Sequence, residues 1–237
     1  ISIPNSVKCI GNNAFDSCCI LSDIVLPKDM TEIKAGTFNN CTGLTLVIIP
    51  HNVVTIGYQA FSGCSNLTTV ILPESVNLIE SEAFRYCMNL KNAIYLGDTE
   101  NWSDKSIYDE TIGDCILTPT ASGNCGKSTK PLPLSGTNVK WAYYGSIRWL
   151  CIIGTGEMSV TSFDLGGLMN KDMVRNCKNV LITEGVTNIS DYTFKNYSSL
   201  TSVFIPDTVT SIGSEAFSDC TGLTSITIPD SVTSIGD

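Results

Sequence analysis

The sequence predicts a solenoid built from stacked 23-residue coils and interrupted by a segment that does not repeat. Proline, phenylalanine and cysteine each return at intervals of 23 residues. The recurring residues are Pro4, Pro27, Pro50, Pro73, Pro206, Pro229, Phe15, Phe38, Phe61, Phe84, Phe194, Phe217, Cys18, Cys41, Cys64 and Cys87. A fixed period in this range is typical of a solenoid, in which each unit buries its apolar face only against its neighbours.

Each coil is predicted to contain two extended pieces and a return turn, as the copy at residues 67–87 shows. The stretch "LTTVILP" is a short strand that ends at Pro73, because proline has no N–H to donate to a ladder. The stretch "SVNLIE" is a second extended piece, and "SEAFRYC" returns across the far side as a turn of helix. The side chains predicted to point inward are Leu67, Val70, Leu72, Val76, Ile79, Ala83, Phe84 and Cys87.

A single coil is not expected to fold alone. Roughly eight buried apolar side chains stabilise it by about 1.5–3 kcal/mol each. Ordering its backbone costs about 1–2 kcal/mol for every residue, so entropy exceeds burial in one coil. Stacking must therefore supply ladder hydrogen bonds and further burial, which makes the repetition a requirement of folding.

The combination of "IP", "SVTSIG", "EAF" and "C" resembles the bacterial BspA-like branch of the leucine-rich repeats, whose units read close to "LxxIxIPxSVTxIGxxAFxxCxx". The resemblance covers residues 1–96 and about 176–237. It implies a right-handed leucine-rich-repeat solenoid with a parallel β-sheet on its concave face. It also implies a surface-exposed or secreted bacterial protein that binds other proteins or cell surfaces, often as one part of a much longer chain.

Three parts are expected along the chain. Residues 1–96 form a leucine-rich-repeat block of about four coils, residues 97–175 a β-rich capping segment, and residues 176–237 a second block of two to three coils. Departures from the repeat at Ala93, Thr183 and Tyr197 predict that the coils beside the middle segment meet something other than another coil.

The middle segment has its own signals. Alternation in "VKWAYYGSIRWLCIIGTGEM" predicts a β-hairpin that turns near Gly145. The proline- and glycine-bearing stretch from Thr118 to Thr137 predicts a linker or long loop. The stretch "YLGDTENWSDKSI" resembles the closing unit that follows repeat blocks in the same family. The stretch "SGNCGKSTKPLPLSGTNVKWAYYGSIRWLCIIGTGEM" resembles a further element of that family, "GxCGxxVxWxxxxxGxLxIxGxGxM".

The chain has an ordinary content of apolar residues and is acidic, with 43% hydrophobic residues and a net charge of −9. An acidic balance argues against nucleic-acid binding, which needs basic patches. The sequence has no apolar run near the length of a membrane span and no signal peptide, so no membrane insertion is expected. Because the chain opens with "ISIP" and stops with "SVTSIGD", both inside a repeat, we expect a fragment of a larger protein.

No catalytic centre, metal site or cofactor is predicted. The single histidine, His51, occupies a turn slot, and no cysteine or second histidine is placed beside it for nucleophilic catalysis. The acidic run "GDTENWSDKSIYDETIGD" lacks the ligand spacing of a calcium loop. In "GTGEMS", Ser159 stands where a dinucleotide fingerprint needs its third glycine.

The eleven cysteines allow two interpretations. Strand spacing would permit disulfides between Cys18 and Cys41 and between Cys64 and Cys87. A buried free thiol also behaves as a small hydrophobe, and the total is odd, so we expect free structural cysteines in the repeats. The least certain members lie in the middle segment, at Cys115, Cys125, Cys151 and Cys177.

One slot of the repeat is the candidate binding site. The fifth position of each concave strand is expected to face solvent, and its occupants would form an exposed apolar stripe. They are Val25, Ile48, Ile71, Ile94, Phe204 and Thr227, of which the first five are the candidate ligand-binding residues. Contiguous exposed apolar surface marks binding sites, although β-branched residues also simply suit strands.

Three functions compete. The leading hypothesis is a non-enzymatic adhesion or protein-interaction module of the cell surface or secreted space, whose partners are other proteins, including host or neighbouring-cell surface proteins. A second is a carbohydrate-binding surface built by aromatic residues of the middle segment, although a small β-unit also needs an aromatic core. Those aromatic residues are Trp102, Trp141, Tyr143, Tyr144 and Trp149. A third is a passive spacer in a larger secreted enzyme.

Overall fold

The structure of the chain is a computed structural model that describes residues 1–97, 106–107, 109, 116–117, 132–133, 138–145, 147–158 and 171–237. Two compact units are present, Ile1–Thr118 and Pro119–Asp237. The sequence-based division at 1–96, 97–175 and 176–237 stays a prediction.

The first unit is built from eight short strands in two sheets. Its main sheet contains β2 (Leu46–Ile48), β4 (Thr69–Leu72), β6 (Asn92–Tyr95) and β8 (Ile116–Leu117), in that order and all parallel. Its second sheet contains β1 (Glu32–Ile33), β3 (Thr55–Ile56), β5 (Leu78–Ile79) and β7 (Ser106–Ile107), again all parallel. From Leu46 onwards, the described strands of the first unit alternate along the chain between the main sheet and the second sheet.

The second unit also contains a main sheet and a second sheet of its own. Its main sheet combines parallel and antiparallel strands. The elements are β9 (Leu132–Pro133), β10 (Val139–Tyr144), β11 (Trp149–Gly154), α1 (Lys171–Asn176), β12 (Asn179–Ile182), β13 (Asn188–Ile189), β14 (Ser202–Phe204), β15 (Ser211–Ile212) and β16 (Ser234–Ile235). The main sheet has the order β14-β12-β11-β10-β9, and the second sheet β13-β15-β16 is parallel. Strands β10 and β11 pair in antiparallel register, with Tyr144 opposite Trp149, so the predicted hairpin near Gly145 is confirmed.

Strand register confirms the solenoid of 23-residue coils. Thr69 pairs with Asn92, Asn179 with Ser202, and Ser211 with Ser234, each one repeat further along the chain. Strands β7 and β8, which lie in the segment predicted not to repeat, continue both sheets of the first unit. Ile94 pairs with Leu117 at the same interval, which makes Ile94 an interior position of its sheet.

Phenylalanine rings form a stack through the interior of each unit. In the first unit, successive centroids are 5.3 Å apart and the ring planes differ by 10–12°. In the second, Phe194 and Phe217 stack at the same distance. All eight side chains predicted to point inward at residues 67–87 are buried in the core of the first unit. The repeated apolar letters are therefore core residues, as expected.

Cysteine thiols add a second column beside the rings. Cys64 Sγ donates to the carbonyl oxygen of Phe38 at 3.2 Å, and Cys220 Sγ donates to that of Phe194 at 3.1 Å. All nine described cysteines are free, and Cys115 and Cys125 lie outside the described residues. Burial raises the pKa of Cys177 to about 12 and that of Cys220 to about 11. These thiols are protonated at neutral pH and act as packing groups.

The predicted helical turn at "SEAFRYC" is wrong. Residues 81–86 form a chain of tight turns, because two residues in every coil have a left-handed backbone. The first left-handed residue stands two positions before the repeat phenylalanine and the second two positions after it. At the second slot, φ is positive at Ser17, Asn40, Gly63, Tyr86, Asn196 and Asp219. A right-handed helix cannot pass through such residues.

A carboxylate closes the phenylalanine column of the first unit. Within the column, the Phe61 N–H donates to the carbonyl oxygen of Ala83 in the next coil at 2.7 Å. The Phe84 N–H instead donates to Oδ2 of Asp109, a buried side chain, at 2.6 Å. Asp109 thus satisfies a backbone donor that another coil would otherwise satisfy.

Candidate binding surface

The predicted apolar stripe lies on the main sheets, on the face opposite the core. In the first unit, Ile48 pairs with Ile71 and Ile71 with Ile94. Their strand neighbours Val47, Val70 and Ala93 point into the core instead. Val25 lies one coil before Ile48, where it forms an isolated bridge with Ser2. The structure therefore brings the first-unit members of the stripe into one row.

The exposure predicted for this row is wrong at two of its members. Val25 is 63% exposed, whereas Ile71 and Ile94 are both 0% exposed. Ile48 is half-buried. The two buried residues lie in interior strands between aliphatic neighbours, and β8 extends the sheet beyond them. Whether the five candidates bind a ligand stays a prediction, and only Val25 and Ile48 offer accessible surface in this unit.

Phe204 lies in the second unit, together with Thr227. Phe204 is half-buried, and its ring stacks on that of Trp149 at 5.8 Å with an interplanar angle of 14°. It pairs with Leu181, which pairs in turn with Cys151. Phe204 therefore belongs to an apolar row of its own sheet, and Thr227 is exposed.

The aromatic residues of the middle segment do not form an exposed platform. Trp141 and Tyr143 lie in the core of the second unit, and Tyr144 and Trp149 are buried as well. Burial raises the pKa of Tyr143 to about 12. Trp102 lies outside the described residues. The four described residues of the predicted carbohydrate site thus serve as packing groups. This agrees with the alternative interpretation, in which a small β-unit needs an aromatic core.

Exposed tyrosines on the return turns were missed by the sequence analysis. Tyr58 is 43% exposed and Tyr86 is 59% exposed, and both lie on adjoining coils of the first unit. Tyr86 has a φ of 60° in a slot that other coils fill with small or polar residues. The left-handed backbone costs a residue other than glycine about 1–2 kcal/mol, and asparagine and aspartate adopt it more readily. Neither backbone geometry nor burial explains a tyrosine there.

A polar network links these two tyrosines. Glu82 Oε2 accepts hydrogen bonds from the Tyr58 hydroxyl at 3.2 Å and from Gln59 Nε2 at 2.7 Å. Glu82 Oε1 pairs with the Arg85 guanidinium at 2.5 Å. That guanidinium lies 4.7 Å from the centroid of the Tyr86 ring. Direct contacts through Glu82 and Arg85 therefore link the side chain of Tyr58 to that of Tyr86.

The charge states of the network follow from these contacts. The hydrogen bond from Gln59, then that from Tyr58 and the charge of Arg85, lower the pKa of the Glu82 carboxyl. The hydrogen bond to Glu82 raises the pKa of the Tyr58 hydroxyl. At neutral pH, Glu82 is an anion, Arg85 is a cation and Tyr58 is neutral, so the two charges cancel.

The second unit contains a smaller counterpart. Tyr192 has a φ of 60°, and Lys195 lies 5.3 Å from the centroid of its ring. Lys195 also pairs with Glu215. Tyr192 stands in the first left-handed slot, two residues before Phe194, whereas Tyr86 stands in the second slot. The group therefore also combines a left-handed tyrosine with a cation, and it presents one exposed aromatic ring instead of two.

Two further sequence predictions concern the described residues, namely the absence of a metal site and the turn position of His51. Among those residues, no group of three histidine, cysteine, aspartate or glutamate side chains could hold a metal ion. His51 is exposed in a turn, as predicted from its slot. No helix within the described ranges is long and apolar enough to cross a membrane.

Comparison with protein families identifies the repeat. Six copies of the BspA type leucine rich repeat region match residues 1–112 and 172–237, which is more than half of the chain. No curated protein matches the chain.

Several solved structures are similar to the chain. A leucine-rich repeat protein from Bacteroides ovatus is 20% identical, over 99% of this chain and 74% of that one, with a TM-score of 0.25. A leucine rich cell surface protein from Faecalibacterium prausnitzii is 20% identical, over 97% and 59%, with a TM-score of 0.26. The pneumococcal vaccine antigen PcpA is 17% identical, over 90% and 52%, with a TM-score of 0.30. The repeat match, and not these similarities, carries the family assignment.

Proposed function

Because the chain belongs to the BspA-type leucine-rich repeat family, we propose that it is a non-enzymatic protein-interaction module that binds a partner through the main sheet of its first unit. The partner is a protein of a host or neighbouring cell, and the module acts as an adhesin. Its place is the cell surface or the secreted space. The single observation that carries the proposal is the family membership, since leucine-rich repeats bind proteins through extended surfaces of stacked coils.

The accessible part of the apolar row is the contact surface in this proposal. Val25 exposes most of its side chain, and Ile48 in the next coil exposes part. A partner that covers Val25 removes apolar area from water, which stabilises a complex by about 25 cal/mol for each Å². Ile71 and Ile94 continue the row at positions that are fully buried, and Phe204 offers a separate position in the second unit.

The non-enzymatic part of the proposal is supported by the state of the nucleophilic groups. Burial raises the pKa of the Cys41 thiol to about 12, and a reactive cysteine needs a lowered pKa and solvent access. His51 has no cysteine or second histidine placed beside it by the repeat, so the acid–base pairs of hydrolytic enzymes lack support.

Val25→Glu tests the proposal. The substitution places a charge on a side chain that is already wet, so folding should change by less than about 0.5 kcal/mol. Binding should weaken by at least about 2 kcal/mol if Val25 is at the centre of the contact. The measurement is binding of the fluorescently labelled chain to intact epithelial and bacterial cells, with and without protease treatment of the cell surface.

Ile20→Glu is the matched control. Ile20 is 97% exposed in a turn of the same unit, away from the strands. The Ile20→Glu chain should bind cells as strongly as the unaltered chain does. Equal binding by the Val25→Glu and unaltered chains would remove the main sheet as the contact. Binding that resists protease and disappears after glycosidase treatment would show a carbohydrate partner instead.

A further inference from the structure

The exposed side chains on the return turns of the third and fourth coils form a surface separate from the main sheet. We call it the tyrosine flank and define it as Tyr58, Glu82, Arg85, Tyr86 and Met88. We propose that the tyrosine flank is a second docking surface, and that it binds an uncharged, apolar segment of a protein partner. This proposal does not depend on the main-sheet contact.

The backbone at Tyr86 gives the first reason. Every other described coil places serine, asparagine, glycine or aspartate in this left-handed slot. Glycine and asparagine adopt such a backbone with the least strain. Tyr86 accepts the strain and remains 59% exposed, so folding gains little from its ring. The fold requires this backbone conformation in the slot but does not require a tyrosine there, so the strained and exposed ring of Tyr86 favours a role in binding.

Preorganisation gives the second reason. Both carboxylate oxygens of Glu82 are occupied, one by Arg85 and the other by Tyr58 and Gln59. Arg85 in turn lies over the Tyr86 ring. These contacts fix the rotamers before a partner arrives, which reduces the entropy lost on binding. Tyrosine and arginine held in this way are the residue types that dominate binding energy at protein interfaces.

The chemistry of the surface identifies the partner. The charges of Glu82 and Arg85 cancel, and Glu82 already accepts three hydrogen bonds from neighbouring side chains, so the surface has no net charge that would attract a charged partner. The surface therefore offers mainly aromatic rings and the 77% exposed side chain of Met88, which adapts to irregular apolar shapes. Apolar protein side chains suit such a surface. Nucleic acid would be repelled by a chain of net charge −9.

Tyr86→Asn separates binding from stability. Asparagine tolerates the left-handed backbone, so the variant should unfold at the same or a higher temperature than the unaltered chain. The probe is a library of random peptides displayed on phage, selected on the unaltered chain. We expect selected peptides rich in aromatic and aliphatic residues, whose affinity falls at least about tenfold on Tyr86→Asn. Tyr58→Ala should cause a similar loss.

Tyr192→Asn is the matched control, because Tyr192 has the same φ and a cation over its ring in the second unit. It should show the same change in melting temperature and no loss of peptide affinity. The Val25→Glu chain should also bind the selected peptides with unchanged affinity, which distinguishes the tyrosine flank from the main sheet.

Three results would overturn the proposal. The first is that the selected peptides bind the Tyr86→Asn and Tyr58→Ala chains as tightly as they bind the unaltered chain. The second is selected peptides dominated by lysine and arginine. The third is glycan-array binding that Tyr86→Asn removes while peptide binding persists.

Discussion

The two units stop their shared repeat in different ways where the middle of the chain interrupts it. After the fourth coil, the first unit keeps the phenylalanine column intact and supplies a carboxylate, Asp109, to the last backbone donor. The second unit keeps Phe194 in the phenylalanine column but changes the cysteine column: Tyr197 stands where the other coils have cysteine, and its ring meets Phe194 edge-on at 5.5 Å. A coil can therefore adjoin a segment that is not a repeat when a single side chain is changed. In the first unit that side chain provides the hydrogen-bond acceptor, and in the second unit it provides a larger ring in the core.

The largest expected effect separates inner from outer rings of the phenylalanine column. Phe61 is fully buried between Phe38 and Phe84, whereas Phe217 is half-buried and stacks on Phe194. Phe61→Ala should lower the free energy of unfolding by about 3–5 kcal/mol, and Phe217→Ala by clearly less. Denaturant midpoints measure both losses. His51→Ala, a surface change, should cost under about 0.5 kcal/mol, and a loss at His51 equal to that at Phe61 would contradict the register.

A medium effect is expected where the first unit ends its column. Asp109→Ala leaves the buried Phe84 N–H without its acceptor, so stability should fall by about 1–3 kcal/mol. Asp109→Asn keeps a carbonyl oxygen in the same place and should cost less. Chemical denaturation compares the two variants, and hydrogen exchange at the Phe84 amide shows where the change acts. If both variants lose the same stability, the hydrogen bond to Phe84 is not what Asp109 contributes.

A third effect is confined to alkaline pH and involves both units. Burial raises the folded-state pKa of Cys41 and Cys177 to about 12 and of Cys220 to about 11, from an ordinary value of 9.0. Above pH 9 the unfolded chain therefore loses thiol protons that the folded chain keeps. Stability should be fully present below pH 9 and should decline as the pH rises towards 11–12.

Alkylation of the thiols provides the companion measurement. In the folded protein without reductant, the exposed Cys9 and Cys19 should react, whereas Cys41, Cys64 and Cys177 should react only after unfolding. Mass spectrometry assigns the labels. If four repeat cysteines stay unlabelled in the unfolded, unreduced chain, they are paired as disulfides.

The repeat allowed much of the fold to be predicted, because its period is fixed by contacts between identical coils. The inward side chains of the coil at residues 67–87, the 23-residue register and the hairpin near Gly145 all follow from local pattern. The return turn was mistaken for helix because Glu82 and Tyr86 are ordinary helix residues by composition. Only the glycines and asparagines in the same slots of other coils, such as Gly63 and Asn40, indicate the left-handed backbone.

The candidate site was harder to predict because exposure depends on what surrounds a strand. Alternation correctly assigned Ile71 and Ile94 to the face opposite the core, but it could not show that this face is closed at those two residues. The tyrosine flank was missed for a related reason. A hydrogen bond from Tyr58 to Glu82 joins residues 24 positions apart, and no motif within one coil contains both.

The stacked register also has a mechanical consequence. Within each block of repeats a coil contacts only the coils on either side, so under tension it is the end coil that detaches first. Each detached coil of 23 residues can lengthen the chain by about 76–83 Å when fully extended. The backbone ladders and the column of rings are then broken one layer at a time. The same repetition that lets the coils fold gives the chain a stepwise response to force, in which extension dissipates energy while the remaining layers stay folded.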